Sequence, residues 1–179
     1  ITFCSQLYKL REEMEIVEFA PQRYIQIHKL NQAGIEKEDL RGFCKDVAEY
    51  VSDGEFFTVF SMQKAGFAHK LDEYGFDDWF YASLLAENKD MFSYQRMGGT
   101  RLFRKGREEV RLAGLIEVIL YNQDSLSMDI YDLADYLWSE YQIKCSVWKL
   151  IDTARENEMY YDSISEKIFV DYDAYFENI

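Results

Sequence analysis

The sequence predicts an α+β protein, mainly helical, in which one element order, helix–short strand–helix–helix–hairpin, runs twice. Three observations carry this. Apolar residues recur at helical spacing in several separate stretches. Short aromatic and β-branched runs interrupt them, as strands would. Local matches relate the two halves: "DEYGFDDW" parallels "SEYQIKCSVW", Glu87-Asn88 parallels Glu156-Asn157 at the same separation as Trp79 and Trp148, and "MFSY" parallels "MYYD". Self-similarity that falls on corresponding elements marks a repeated unit.

Each element has its own signal. Pro21 suits the first turn of a helix that Gly34 would end, so residues 1–36 are expected to be an N-terminal helical segment. Leu40, Phe43, Cys44, Val47 and Val51 predict an amphipathic helix over 37–51, broken by "SDG" at 52–54. "FFTVF" at 56–60 suits a short strand, and a short helix runs from Ser61 to near Gly66. "GFDDWFYASLLAENK" is a further helix with Asp77 or Asp78 as N-cap. "FSYQRM", "GG" and "TRLFRK" read as two strands about a two-residue glycine turn, a strong hairpin signal. These elements make a first unit over 37–107, and a second over 108–179 repeats them. Leu112, Leu115, Ile116, Ile119 and Leu120 mark its first helix, and "SLS" its short strand. Ile130, Leu133, Ala134, Leu137, Trp138 and Tyr141 mark the second helix. Ser146 caps a third that carries Val147, Leu150, Ile151 and Ala154 on one face. "MYYDSISEKIFVDY" is the second hairpin. The terminal "VDYDAYFENI" alternates acidic and aromatic residues. It reads as a strand with buried aromatics, or as an interaction edge.

Composition bounds the class. Hydrophobic residues at 48% and aromatics at 17%, with a single proline, describe a folded chain and exclude a disordered tail. No apolar stretch approaches ~18 residues, so no membrane span is predicted. No signal peptide is visible. Cys4, Cys44 and Cys145 are odd in number and far apart, which fits reduced thiols in a cytoplasm. The chain opens on Ile1 rather than Met, so further domains of a longer chain are expected partners.

Enzyme chemistry finds no motif. CxxC, HExxH, a Walker loop and GxSxG are all absent, so no metal, cofactor or catalytic residue is assigned. His69 lies near Asp72, Glu73, Asp77 and Asp78. Gly75 interrupts that segment, so it reads as a solvated turn between helices. His28 reads as a surface residue and Cys44 as core.

Charge is where binding shows. The chain is formally −13 at pH 7, yet residues 92–107 hold five basic side chains and no acidic one. With Gly98 and Gly99 as the turn, Tyr94 faces Phe103 on the core side and Arg96 faces Arg101. Directly opposed like charges destabilise a strand pair, which an anionic partner would offset. Arg104, Lys105 and Arg107 extend the patch toward the backbone of DNA or RNA. A solvated hairpin that balances an acidic surface is the other reading. Against nucleic acid, the third helix of the first unit begins with Asp77 and Asp78, which suit the helix dipole but repel phosphate. From Arg111 to Ile179 there are 5 basic and 14 acidic residues, a balance of −9. The second hairpin sets Lys167 against Asp162, Glu166, Asp171 and Asp173. Lys144, Lys149 and Arg155, in or near the third helix, are the plausible anion contacts of this half.

The element order over 37–107 and 108–175 resembles the winged-helix family. The resemblance rests on order, since no signature motif occurs. It implies a third helix that enters a DNA groove and a hairpin, the wing, that touches flanking backbone. The chain is also similar to the C-terminal parts of larger bacterial regulatory proteins. The resemblance and the basic first wing together lead to the expectation of a non-enzymatic, nucleic-acid-binding module of the transcription-regulator kind. The alternative is a protein-interaction module that uses the acidic second unit.

Overall fold

The computed structural model describes residues 3–178 and is α+β, with helices joined to small antiparallel sheets. It falls into two compact units. One holds the residues up to Tyr94 together with Phe103–Glu108, and the other holds Gln95–Leu102 together with the residues from Glu109 onward.

The first unit opens with helix α1 (Phe3–Glu12), strands β1 (Ile16–Ala20) and β2 (Arg23–Gln26), and helix α2 (Ile27–Gln32). This corrects the all-helical reading of residues 1–36. Pro21 opens a reverse turn rather than a helix: Gln22 comes next with φ 60, and the Gln22 N–H donates to Glu18 Oε1 at 3.0 Å. Proline succeeded by a left-handed residue is a turn signal, and the β-type runs on either side then pair. Gly34 does stop α2, at φ 85.

The rest of the unit comprises α3 (Lys37–Tyr50), β3 (Phe56–Phe57), α4 (Val59–Lys64), a 3₁₀ turn (Lys70–Tyr74), α5 (Asp78–Glu87) and the outer ends of β4 (Phe92–Met97) and β5 (Thr100–Lys105), the hairpin residues Gln95–Leu102 being counted with the second unit. Caps explain several starts. Glu36 and Asp39 bond reciprocally at the head of α3. Thr58 and Ser61 do the same at α4, which therefore begins at Val59 and not at Ser61. Asp77 Oδ1 accepts the Phe80 N–H at 3.1 Å and starts α5. The sheet order is β3-β5-β4. Leu40, Phe43, Val47, Phe57, Phe80, Leu85, Phe92 and Phe103 form the core.

The second unit runs α6 (Leu112–Tyr121), β6 (Ser127–Asp129), α7 (Ile130–Tyr141), α8 (Val147–Glu156), β7 (Tyr160–Asp162), β8 (Lys167–Phe169) and α9 (Tyr172–Glu177). Its sheet order, β6-β8-β7, matches the first: the short strand lies beside the last, and the last beside the middle one. Leu115, Ile130, Leu133, Leu137, Leu150 and Ile168 are all fully buried. The strand expected in the terminal stretch 170–179 does not form among its described residues, where Tyr172–Glu177 is a helix. Asp171 Oδ1 accepts the Ala174 N–H at 2.7 Å, and the chain turns helical from there. Only Ala174 of α9 is buried, while Tyr172 and Phe176 stand exposed.

Internal similarity falls on equivalent positions. Trp79 and Trp148 are each the second residue of a third helix. Asn88 and Asn157 close these helices alike: each side-chain amide donates at 2.8 Å to the carbonyl four residues back, of Leu84 and Thr153.

Candidate binding surfaces

The basic hairpin forms as expected, with strands that end at Met97 and restart at Thr100. Gly98 has φ 64, a left-handed conformation that glycine adopts without strain. Tyr94 and Phe103 meet with ring centroids 5.6 Å apart. The cations, however, do not form one exposed anion-facing surface. Arg101 is only 3% exposed, which withdraws it from the phosphate-contacting role expected of it. Arg96 is exposed, so the two arginines do not stand side by side in solvent.

Arg104 and Lys105 are turned toward the loop that precedes β3. Arg104 Nε donates to the Gly54 carbonyl at 2.9 Å, its guanidinium lies 4.9 Å from the Phe56 ring centroid, and Nη1 pairs with Glu108 at 2.5 Å. Lys105 Nζ donates to the Val51 carbonyl at 3.0 Å and pairs with Asp53 at 2.9 Å. Backbone bonds reinforce the grip: Gly54 N–H to the Lys105 carbonyl, and Lys105 N–H to the Glu55 carbonyl. Gly54 has φ 74, and a Cβ there would lie 3.5 Å from Arg104 Nη2. Arg107 pairs with Asp90 at 2.8 Å, both groups in open solvent. Much of the positive charge in this stretch therefore holds the 51–55 loop in place or meets acidic neighbours.

The acidic segment around His69 is similarly occupied with local structure. His69 Nδ1 accepts the Leu71 N–H at 3.2 Å, and Asp72 accepts the His69 N–H at 2.8 Å. Asp77 caps α5. Among the described residues no three His, Cys, Asp or Glu side chains gather as a metal-holding group. His28 is exposed and Cys44 is buried, as read from the sequence.

Two exposed helix faces stand out in the second unit: that of α7, which sequence reasoning does not single out, and that of α8, where it names Lys144 and Lys149, but not Trp148, as contacts. On α7, Ile130, Leu133 and Leu137 fill the core, while Tyr131, Tyr136 and Trp138 remain 52%, 38% and 50% exposed. Asp132 and Asp135 stand among them, and among the described residues no cation pairs with either carboxylate. Tyr131 Oη lies 3.5 Å from Glu166 Oε1, and that carboxylate is the main cause that pushes the Tyr131 hydroxyl above its ordinary pKa. On α8, Trp148 is 74% exposed beside Lys149, with Lys144 just before the helix. Among the described residues no hydrogen bond or ion pair holds either ammonium group. The helical period does place Tyr131, Asp135 and Trp138 on one stripe. Apolar spacing instead groups Trp138 with the core face, because its neighbour Leu137 belongs there.

No family model matches the chain, and neither does any curated protein or solved structure. Among the described residues no helix is long and apolar enough to cross a membrane.

Proposed function

We propose that the chain is a non-enzymatic protein-docking module, built of two winged-helix-like units in tandem, whose acidic second unit receives a basic protein surface. The winged-helix likeness is supported by the element order and by the shared sheet order of the two units. The observation that carries the docking reading is the α7 face: three aromatic rings exposed among carboxylates that, among the described residues, no cation pairs with. Exposed aromatic side chains rimmed by polar groups are what protein interfaces use. The −9 balance of residues 111–179 sets the sign of the partner. The cations of the first wing support the same choice, since Arg101 is buried and Arg104 and Lys105 are bound to backbone carbonyls.

A second reading, nucleic acid, keeps one specific observation in its favour: among the described residues nothing pairs with Lys144 or Lys149, which lie about an exposed Trp148 on the third helix. Cations beside an aromatic platform suit a nucleic-acid strand. Hydrogen exchange of the full chain, with and without a lysine-rich peptide and with and without duplex and single-stranded oligonucleotides, separates the two. Docking predicts peptide-induced protection within residues 109–178 and no effect of oligonucleotide at about 150 mM salt. Oligonucleotide protection at that salt, lost in Lys144→Gln/Lys149→Gln, would establish the second reading instead.

A further inference from the structure

We infer that the α7 face discriminates arginine from lysine, and that its partner is an arginine-bearing segment rather than a merely basic one. The inference rests on the docking reading above and names the chemistry at that same surface. Tyr131, Asp135 and Trp138 are spaced four and three residues apart on one helix, which puts neighbouring Cβ atoms about 5–6 Å from each other. A carboxylate thus stands between two aromatic rings. Asp132 and Tyr136, again four residues apart, repeat the pairing on the adjacent stripe. Glu166 adds a third carboxylate beside Tyr131.

That alternation matches a guanidinium better than an ammonium. A guanidinium is planar. It offers paired N–H donors that fork onto a carboxylate while its face lies on a ring, and it is weakly hydrated, so it sheds water readily. An ammonium is a compact, strongly hydrated point charge that gains little from a flat aromatic wall. The core side of α7 buries Ile130, Leu133 and Leu137 completely, while Tyr131, Tyr136 and Trp138 stay partly open to solvent. No cation among the described residues pairs with Asp132 or Asp135, while Glu166 accepts from the Tyr131 hydroxyl. From Tyr131 to Trp138 the helix rises about 10 Å. A partner helix lying along it therefore meets the stripe with arginines three or four residues apart.

The test uses the full chain and two peptides of equal length and charge, one with four arginines at alternating spacings of three and four residues and one with lysines at those positions. Binding is read by fluorescence anisotropy at about 150 mM salt. The arginine peptide should bind at least about 5-fold more tightly. Trp138→Gln should remove most of that preference, a loss of about 2–5-fold for one cation–ring contact. Asp135→Asn should weaken the arginine peptide more than the lysine one. Trp148→Gln, which removes the other exposed tryptophan of the second unit, should leave the preference intact. Equal binding of the two peptides, or a preference untouched by Trp138→Gln and Asp135→Asn, would overturn the arginine inference while leaving docking of basic partners in place. No binding of either peptide would overturn both. Circular dichroism of each variant identifies loss of fold, and Trp138→Phe, which keeps a ring, should retain part of the preference.

Discussion

Arg104 satisfies three neighbours at once: a backbone carbonyl, an aromatic face and a carboxylate. Arg107, three residues on, meets an exposed aspartate. The two should therefore behave differently under truncation. Arg104→Ala leaves the Gly54 carbonyl without its partner, and losing a bond to a charged donor costs about 1.5–3 kcal/mol. Arg107→Ala should cost less than about 0.5 kcal/mol, because exposed ion pairs contribute little. Urea titration of both variants checks this, and equal losses would contradict the account. Cys44 gives a second residue-level expectation. Burial pushes its thiol from the ordinary 9.0 up to about 12, and Asn88 Nδ2 lies 3.1 Å from the sulfur. The folded state holds the proton more tightly than the unfolded state does, so this contribution is fully present below pH 9 and is lost as pH rises from 9 toward 12. Unfolding free energy should fall across that window, and Cys44→Ala should flatten the decline. At about pH 8 the exposed Cys4 should alkylate while Cys44 reacts only on unfolding. Residue types alone announced Cys44 as core, from its place on an apolar helix face. They did not announce the grip of Arg104 and Lys105 on the 51–55 loop, since that contact joins segments far apart in the chain.

Elements whose signal is local and redundant were the legible ones. The hairpin at 92–105 carries both a glycine turn and β-type strands, and α8 carries both a serine cap and an apolar stripe. The misread elements had a single competing signal each. Pro21 suits a first helical turn and also the corner of a reverse turn, and the flanking strands decided it. In the last ten residues the acids and aromatics of Asp171, Tyr172 and Asp173 alternate with the period of a strand. A capping aspartate outweighs it: Asp171 satisfies the Ala174 N–H, and Asp173 sits in the first turn, where a negative charge is favourable. Asp171→Ala should lower stability by about 0.5–2 kcal/mol. Hydrogen exchange should show the extra opening first within 172–177. Unchanged protection there would mean that the aromatic contacts of Tyr175 with Tyr160 and Phe169, at 4.5 and 5.3 Å, hold α9 without its cap.

At the scale of the whole molecule, charge was legible in sign but not in use. A net −13 argues against a general polyanion binder, and the basic stretch at 92–107 argues for one. Where each cation points is a three-dimensional fact, and Arg104 and Lys105 point at backbone carbonyls of the 51–55 loop. The same excess of acid makes a last prediction. A chain this far from neutrality repels itself, and repulsion between exposed carboxylates is screened by salt over about 10 Å at 0.1 M. Raising salt from about 10 to 150 mM should therefore raise the thermal midpoint, while binding of a basic peptide weakens. Asp135→Asn removes an exposed carboxylate with no cation partner among the described residues. It should change stability by less than about 0.5 kcal/mol, as surface substitutions generally do, yet still lower the affinity for the peptide. Differential scanning calorimetry and anisotropy on one set of samples measure both. A midpoint that falls with salt would mean that ion pairs such as Arg11–Glu87 and Lys37–Glu15 outweigh the repulsion. An Asp135→Asn variant clearly destabilised in the same experiment would mean that the α7 carboxylates serve the fold, and the docking face would lose its main support.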